Sequence, residues 1–215
     1  MKILLADDHP LILYAVEAAL ANVPGLDLCG SARTPAALLS LLDHTACDVV
    51  VADYSMPQQP GDGWQLYTAI LNRHPDTRLV AYTSFPEPLL VAGLVRLGVH
   101  AIVSKAEPVT ELVRAIEAVA AGARHLSPGA QAALDLAMTT PQYQRLARLS
   151  QRELLVLGLF AAGLSVSQSA ALTGRSVKTI STQKAAIKKK IAARSDGELY
   201  LNAVRQGLLM RVPQR

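Results

Sequence analysis

The stretch Val49-Val50-Val51-Ala52-Asp53 decides the fold, because it is a short apolar run, rich in β-branched residues, that ends in an acid. Such a run is typical of a parallel strand that is buried on both faces. The N-terminus repeats the pattern, with Ile3-Leu4-Leu5-Ala6 followed by Asp7 and Asp8. Two buried strands that end in carboxylates predict a polar site at one edge of a parallel sheet.

The sequence on either side of these runs alternates between strand and helix patterns. Pro10 opens a helical pattern that Pro24-Gly25 stops, and the rhythm then repeats. Further strands are predicted at 26–31, 78–83 and 101–103, and further helices at 35–44, 64–73, 88–97 and 108–121. Five strands that alternate with five helices over about 120 residues predict an α/β domain with a doubly wound, five-stranded parallel sheet.

Five polar side chains are predicted at the carboxyl ends of these strands, namely Asp7, Asp8, Asp53, Thr83 and Lys105. Neighbouring strands lie about 4.8 Å apart, so these side chains can converge on one pocket. Three carboxylates repel one another unless a hard divalent cation such as Mg²⁺ neutralises them. A hydroxyl and an ammonium group then suit the oxygens of a phosphoryl group. A single acid at a strand end would be read as an ordinary loop residue, but the three acids with Thr83 and Lys105, in this order, favour a site.

Four short motifs resemble the receiver domains of bacterial two-component response regulators. They are Asp7-Asp8, Asp53-Tyr54-Ser55-Met56-Pro57, Thr83-Ser84 and Ser104-Lys105, and the resemblance covers residues 1–121. It implies that Asp53 accepts phosphate from a histidine kinase or a phosphotransfer protein. It further implies direct Mg²⁺ ligation by Asp8, Asp53 and the Ser55 carbonyl, ligation by Asp7 through water, and phosphoryl contacts from Thr83 and Lys105.

Two positions and one loop depart from the receiver pattern. Ile102 stands where many receivers have Tyr or Phe, so no aromatic rotamer switch is expected there. Ala106 stands where many have proline, so no cis-proline is expected. The loop 57–63 is longer than usual, and this lengthening resembles the RcsB-like subgroup of response regulators.

Composition and charge bound the remaining possibilities. With 51% hydrophobic and 18% charged residues, the chain is expected to be globular. No apolar run approaches the roughly 20 residues of a membrane span, and the apolar N-terminal stretch is too short for a signal peptide. Cys29 and Cys47 lack metal-ligand spacing and are interpreted as reduced thiols of a cytoplasmic protein.

The two halves of the chain differ in the sign of their charge. Residues 1–120 contain 13 Asp/Glu against 7 Lys/Arg, whereas residues 121–215 contain 4 against 14. This asymmetry indicates an acidic module joined to one that binds a polyanion. We predict a receiver domain at 1–121, a linker at 122–145 and a DNA-binding domain at 146–215. The linker is expected to be a tether whose Ala/Leu-rich part also packs on a domain.

The second half has the pattern of a helix-turn-helix. Ser150 and Glu153 form a predicted capping box for a first helix that stops at Gly163, and a second short helix ends at Thr173-Gly174. Ser176 then caps a basic third helix. On that helix Val177, Ile180, Ile187 and Ile191 are predicted to face the core. The residues predicted to contact DNA are Lys178, Thr179, Ser181, Thr182, Gln183, Lys184, Lys188 and Lys189.

This segment resembles the LuxR-type domain of the NarL/FixJ response regulators. The resemblance lies in Leu149-Ser150-Gln151-Arg152-Glu153, Gly163-Leu164-Ser165 and the run from Ser176 to Gln183. Gln183 replaces a common His. Ser169 replaces a usual isoleucine, so looser packing is expected there. The Lys184 stem is expected to lie on the core, with its amine reaching DNA phosphate. By resemblance, a last helix at about 196–209 forms dimers.

These features predict a phosphorylation-controlled transcriptional regulator that binds promoter DNA as a homodimer, with a heterodimer with an auxiliary regulator as a further possibility. It would not be an enzyme beyond phosphorylation and dephosphorylation of its own Asp53. Two alternatives stay open at this stage. The basic helix could bind another protein within a phosphorelay, or DNA binding could be controlled without phosphorylation. His9 adjoins the predicted pocket and is interpreted as a rim residue.

Overall fold

A computed structural model describes residues 1–56, 62–84 and 86–199, apart from the side chains of Asp62 and Leu146. The strands are β1 (Lys2–Ala6), β2 (Asp27–Ala32), β3 (Val49–Ala52), β4 (Arg78–Thr83), β5 (Ala101–Ser104) and β6 (His125–Leu126). They form one sheet in the order β2-β1-β3-β4-β5-β6, and each neighbouring pair is parallel. The predicted doubly wound α/β fold is confirmed.

The helices of the N-terminal half are α1 (Pro10–Leu20), α2 (Pro35–His44), α3 (Asp62–Arg73), α4 (Pro88–Leu97) and α5 (Val109–Ala120). Those that follow are α6 (Pro128–Met138), α7 (Pro141–Ala147), α8 (Gln151–Ala161), α9 (Val166–Thr173) and α10 (Val177–Lys190). None of the helices in the described part of the chain combines the length and apolar character that a bilayer crossing requires.

The prediction of five strands was wrong, because the segment after α5 adds β6 to the edge of the sheet. His125 pairs with Ala101 and Leu126 pairs with Ile102. Gly122, with a φ of +81°, turns the chain back after α5 and lets it run parallel to β5. A two-residue strand carries too little periodicity to be recognised in a sequence, yet it satisfies backbone groups at an otherwise open sheet edge.

Alternate side chains of the strands build two apolar layers. On one face, Leu13 of α1 and Ile116 of α5 pack with Leu5 and Val51 of the sheet. The other face carries α2, α3, α4 and α6, and its core is continuous with that of the C-terminal helices. Ala6 ends β1 and Ala52 ends β3, and both residues are buried in the core. The acids that follow them therefore lie at the margin of the core.

The C-terminal helices begin and end as their capping residues dictate. Ser150 and Glu153 cap α8 reciprocally, which confirms the predicted capping box. Ser165 and Gln168 form a second one at the start of α9. Gly174 ends α9 in the left-handed conformation, with a φ of +65°. Arg175 and Ser176 then connect Gly174 to α10, a short connection typical of a helix-turn-helix.

Two further findings differ from the sequence analysis. Val177 was predicted to face the core, but its side chain is 51% exposed. It is the first residue of α10, one turn before the buried Ile180, and so extends beyond the core that α8 and α9 cover. The helix α7 was also not predicted. The predicted dimer helix at about 196–209 lies mostly outside the described residues.

Candidate functional site

Four strands deliver the predicted pocket residues to one edge of the sheet. Asp7 follows β1, Asp53 follows β3, Thr83 ends β4, and Lys105 follows β5. The registers align these ends, since Ala6 pairs with Ala52 and Thr83 pairs with Ser104. The structure therefore brings together side chains that are up to about 100 positions apart in the chain.

Lys105 is the centre of the pocket. Its Nζ lies 2.5 Å from Asp7 Oδ2 and 2.8 Å from Asp53 Oδ2. All three side chains are almost completely buried. The backbone N–H of Lys105 donates to the Thr83 carbonyl at 2.8 Å, which fixes the loop after β5 against the end of β4. The amine also lies 5.7 Å from the centre of the Tyr82 ring.

Burial and charge compete in setting the acidity of these groups. Burial raises the pKa of the Asp53 carboxyl, and the Lys105 ammonium only partly offsets this. Burial alone would lower the pKa of Lys105, but the Asp53 and Asp7 carboxylates outweigh it and raise the pKa. The Ser55 N–H donates to Asp53 Oδ1 at 3.0 Å and stabilises the carboxylate form.

Asp8 and His9 form the outer rim of the pocket. His9 Nδ1 lies 2.8 Å from Asp8 Oδ1 and 3.3 Å from Asp7 Oδ1. The His9 side chain is 65% exposed, which agrees with its interpretation as a rim residue. Arg33 closes the same side by donating to the Asp8 carbonyl at 3.2 Å.

The donor set fits a divalent cation. One ligand atom from each of Asp7, Asp8, His9 and Asp53 lies within 4.8 Å of the others. Three carboxylates face one ammonium group, so the pocket carries an excess negative charge that a divalent cation would neutralise. Carboxylate oxygens on a mixed buried and exposed rim suit Mg²⁺, which keeps some of its water ligands.

The predicted DNA-contacting residues lie on α10, whose outward face is open. Lys178, Thr179, Ser181, Thr182 and Lys189 are exposed, while Gln183, Lys184 and Lys188 are half-buried. Ile180 and Ile187 bury the opposite face. The helix packs on α8 and α9, and these contacts leave its basic side towards solvent.

Three lysines of α10 are engaged within the domain. Lys184 and Lys188 contact the two oxygens of Asp196 at 2.7 Å and 3.1 Å. Lys184 Nζ also lies 4.9 Å from the centre of the Phe160 ring. Lys190 donates to Glu153 at 2.7 Å and so joins α10 to the capping box of α8. Its ammonium group and the Ser150 donors outweigh burial and lower the pKa of Glu153.

Comparisons with known proteins identify both halves of the chain. Residues 3–117 match the family model described as the response regulator receiver domain, and residues 147–203 match the bacterial regulatory proteins of the luxR family. The chain belongs to the response regulators.

Two named relatives extend this match over nearly the whole regulator. RcsB of Escherichia coli K12 is 30% identical over 207 residues, which cover 95% of each chain. The response regulator GacA of Pseudomonas syringae pv. syringae is 31% identical over 211 residues, covering 97% of this chain and 98% of GacA. The predicted resemblance to RcsB-like regulators of the NarL/FixJ type is confirmed.

Solved structures give the same result. RcsB of Salmonella enterica serovar Typhimurium, bound to promoter P1flhDC with the phosphomimetic BeF₃⁻, matches with a TM-score of 0.61 and 29% identity. The match covers 94% of this regulator and 97% of that chain. A second RcsB–DNA complex has a TM-score of 0.61 at 27% identity, covering 95% and 98%.

Sequence reasoning missed two sets of contacts in the regulator. Ser127 and Glu107 join the loop of Lys105 to the start of α6. Trp64 of α3 inserts between the two halves and donates to the Leu155 carbonyl of α8. The Ser127-Pro128 pair signals a helix start, but no sequence pattern tells which distant group a capping residue will contact.

Proposed function

We propose that this regulator is a cytoplasmic, phosphorylation-controlled transcription factor. Asp53 accepts a phosphoryl group, and the phosphorylated receiver changes how the C-terminal domains pair on promoter DNA. The proposal depends above all on the contact of Lys105 with both Asp7 and Asp53 at the edge of a receiver sheet. The RcsB structure with promoter DNA and the phosphomimetic BeF₃⁻ supports it by analogy.

The chemistry is transfer of a phosphoryl group to a carboxylate. An oxygen of Asp53 forms a bond to phosphorus while the bond from phosphorus to a histidine nitrogen of a kinase or phosphotransfer protein breaks, with the electron pair leaving on that nitrogen. Lys105 then exchanges part of its contact with Asp53 for a phosphoryl oxygen. The Thr83 hydroxyl, at the end of the neighbouring strand, would contact another.

Asp8, Asp53 and the Ser55 carbonyl would hold Mg²⁺, with Asp7 acting through water. Bound Mg²⁺ would supply positive charge for the transferring oxygens. Removal of the phosphoryl group by water in the same pocket would complete the cycle, so the regulator would act on its own Asp53 and on no external metabolite.

The second half of the function is DNA binding by α10. The exposed lysines would contact phosphates, and Ser181 and Thr182 would face base edges in the major groove. Two copies would place their α10 helices on half-sites about 34 Å apart. For the pairing of receivers, the apolar stripe of α1 is the best candidate, because Leu11 and Tyr14 are 76% and 71% exposed.

The decisive experiment treats the wild type and Asp53→Asn with acetyl phosphate and Mg²⁺. Mass spectrometry should find phosphate on Asp53 of the wild type and none on the variant. DNA duplexes selected from a random library should then bind the treated wild type more tightly than Asp53→Asn. Asp76→Asn, the same change at an exposed site, should behave as wild type. Equal DNA binding by wild type and Asp53→Asn would refute phosphorylation control.

A second candidate function is binding of α10 to another protein instead of DNA. The pairing of Lys184 and Lys188 with Asp196 favours a protein partner, because paired lysines offer less positive charge to DNA phosphates. Salt dependence separates the two. Binding to duplex DNA through several phosphates should weaken by orders of magnitude between about 50 and 200 mM salt. A weak salt dependence together with no sequence preference would favour the protein partner.

A further inference from the structure

The start of helix α6 and the loop that carries Lys105 exchange their capping groups. Ser127 occupies the N-cap position of α6, where a serine hydroxyl ordinarily accepts an N–H from the first turn of its own helix. Here the side chain makes no such bond. The hydroxyl oxygen instead accepts the backbone N–H of Ser104 at 3.2 Å, and both serines are buried.

The first turn of α6 receives its cap from the same loop. The N–H of Gly129 donates to Glu107 Oε1 at 2.7 Å. A carboxylate at a helix N-terminus is favoured both by this bond and by the helix dipole. Glycine permits the close approach, since a Cβ at position 129 would lie 3.2 Å from the Glu107 oxygen. Ser127 and Glu107 therefore form a reciprocal cap between two segments that are 22 or 23 residues apart.

The reciprocal cap is part of a set of hydrogen bonds that holds the backbone on both sides of Lys105. The N–H of Ser104 is held by Ser127, and the N–H of Lys105 is held by the Thr83 carbonyl. The Ala106 and Glu107 N–H groups both bond to Ser104, one to its hydroxyl and one to its carbonyl. The segment that positions the Lys105 ammonium is thus fixed on one side by the end of β4 and on the other by α6.

Helix α6 connects this loop to the rest of the molecule. Its buried residues Ala130 and Ala133 join the core shared with α4 and the C-terminal domain, and Ala137 is buried as well. It also contacts α7, which leads into α8. The small alanine side chains allow α6 to approach α4 closely, so a displacement of its first turn is transmitted along a stiff element.

We propose that Ser127 and Glu107 are positioning residues for Lys105, and that α6 couples the position of Lys105 to the C-terminal domain. The inference rests on the proposed function of the pocket. Ser127 and Gly129, which supply the α6 side of the cap, lie beyond the receiver match, which ends at residue 117. The linker is thereby part of the phosphoryl site. When Lys105 moves towards a phosphoryl oxygen, Ser104 and Glu107 move with it and displace the start of α6.

The coupling is tested first without phosphate. Lys105→Met in the full chain should shift the NMR signals of the α6 backbone amides, from Gly129 to Ala137. The same change in a Ser127→Ala/Glu107→Ala background should leave those amides unshifted. The loss of one buried hydrogen bond should also raise hydrogen exchange at the Ser104 amide of Ser127→Ala roughly tenfold. If Lys105→Met leaves α6 unshifted in the otherwise wild-type chain, the inference is overturned.

The positioning role is tested on the phosphorylated regulator. Ser127→Ala and Glu107→Ala should each change the rate of Asp53 dephosphorylation by roughly threefold or more, as expected when Lys105 loses a fixed position. Glu107→Gln keeps the acceptor and should restore most of the wild-type rate. Glu117→Ala, at an exposed position of α5, should have no effect. Wild-type rates in both alanine variants, with unaltered thermal unfolding, would refute the role.

The two levels of failure are distinguishable. If the wild type accepts neither phosphate nor beryllofluoride, the proposed function fails, while the Lys105→Met experiment still decides whether α6 follows Lys105. If the wild type is phosphorylated but α6 does not respond to Lys105→Met, the proposed function stands and the coupling fails.

Discussion

Ser169 places a hydroxyl group in the core of the C-terminal domain. The residue is completely buried in α9, and within the described part of the chain its Oγ has no hydrogen-bond partner. Such a group loses its hydration without compensation. We therefore expect Ser169→Ala to raise the free energy of unfolding by about 1 kcal/mol in urea denaturation. Ser165→Ala should have the opposite sign, since it removes the α9 cap. Destabilisation by Ser169→Ala would contradict this.

Glu111 gives the receiver a defined dependence on pH. A hydrogen bond from His125 at 2.8 Å, followed by one from Arg114, lowers the pKa of the Glu111 carboxyl. A carboxyl whose pKa is lower in the folded state contributes stability above its ordinary value and loses it as the pH falls through the lowered value. The bond also joins α5 to β6.

Glu111→Gln should thus cost about 0.5–1 kcal/mol of stability at neutral pH, a figure already reduced for solvent screening. The difference from wild type should shrink as the pH falls below the lowered pKa. Urea midpoints measured between neutral and acid pH check this, with the exposed Glu117→Gln as control. A difference that grows towards acid pH would contradict the assignment.

At the scale of elements, Asp196 limits the charge that α10 offers. Its two oxygens contact Lys184 and Lys188, and the hydrogen bond from Lys184, followed by that from Lys188, lowers the pKa of Asp196. Asp196→Asn should release both lysines. We expect tighter binding to random duplex DNA and a slope of log affinity against log salt that is steeper by about one to two. Glu198→Gln is the matched control. An unchanged slope would show that these lysines do not reach phosphate.

The sequence predicted the elements whose signals are local. Short apolar runs, two of them ending in acids, predicted the first five strands, and Ser150 with Glu153 predicted the start of α8. Because parallel strands align their carboxyl ends, the convergence of Asp7, Asp53 and Lys105 followed from the fold alone. The stripe on α10 was correct at Ile180 and Ile187 and wrong at Val177, since periodicity does not reveal where the supporting helices stop.

What the sequence could not supply are contacts between distant segments. The two residues of β6 have no detectable periodicity, and the bond of Ser127 to Ser104 depends on where the sheet edge lies. The same holds for Trp64, whose helical spacing indicates only a core position. Such contacts depend on the tertiary structure and have no local sequence signal.

At the scale of the whole molecule, the available faces decide how two copies can pair. Helix α4 is covered by α6, α7 and α8, whereas the outer stripe of α1 is open. Pairing through α1 predicts that Tyr14→Glu weakens the phosphorylated dimer at least tenfold, because the charge would be buried against an apolar surface. Analytical ultracentrifugation with beryllofluoride measures this. Glu17→Gln, on the same helix, should change it little, and a dimer unaffected by Tyr14→Glu would exclude this face.

The domains themselves meet at Trp64, the only tryptophan of the chain. Its indole is fully buried and donates to the Leu155 carbonyl at 3.3 Å. On α8 it lies against Gly158, where any Cβ would overlap the ring. Arg96 donates to the Leu149 carbonyl, and Gln151 donates to the Leu97 carbonyl at 2.6 Å. The end of α4 and the start of α3 thus hold α8 while α10 stays open.

Gly158→Ala should open this contact without harming either domain. Alanine is favoured over glycine inside a helix by about 1 kcal/mol, so α8 itself should gain stability while the methyl group expels the indole. We expect the Trp64 fluorescence to shift to the red and the radius of gyration from X-ray scattering to increase. Gly197→Ala, whose Cβ would meet only Ser195 Oγ at 3.8 Å, should leave both unchanged. If Trp64 in Gly158→Ala keeps the fluorescence of a buried tryptophan, the added methyl group has been accommodated by repacking of side chains. The helices α3 and α8 would then not have separated, contrary to the prediction.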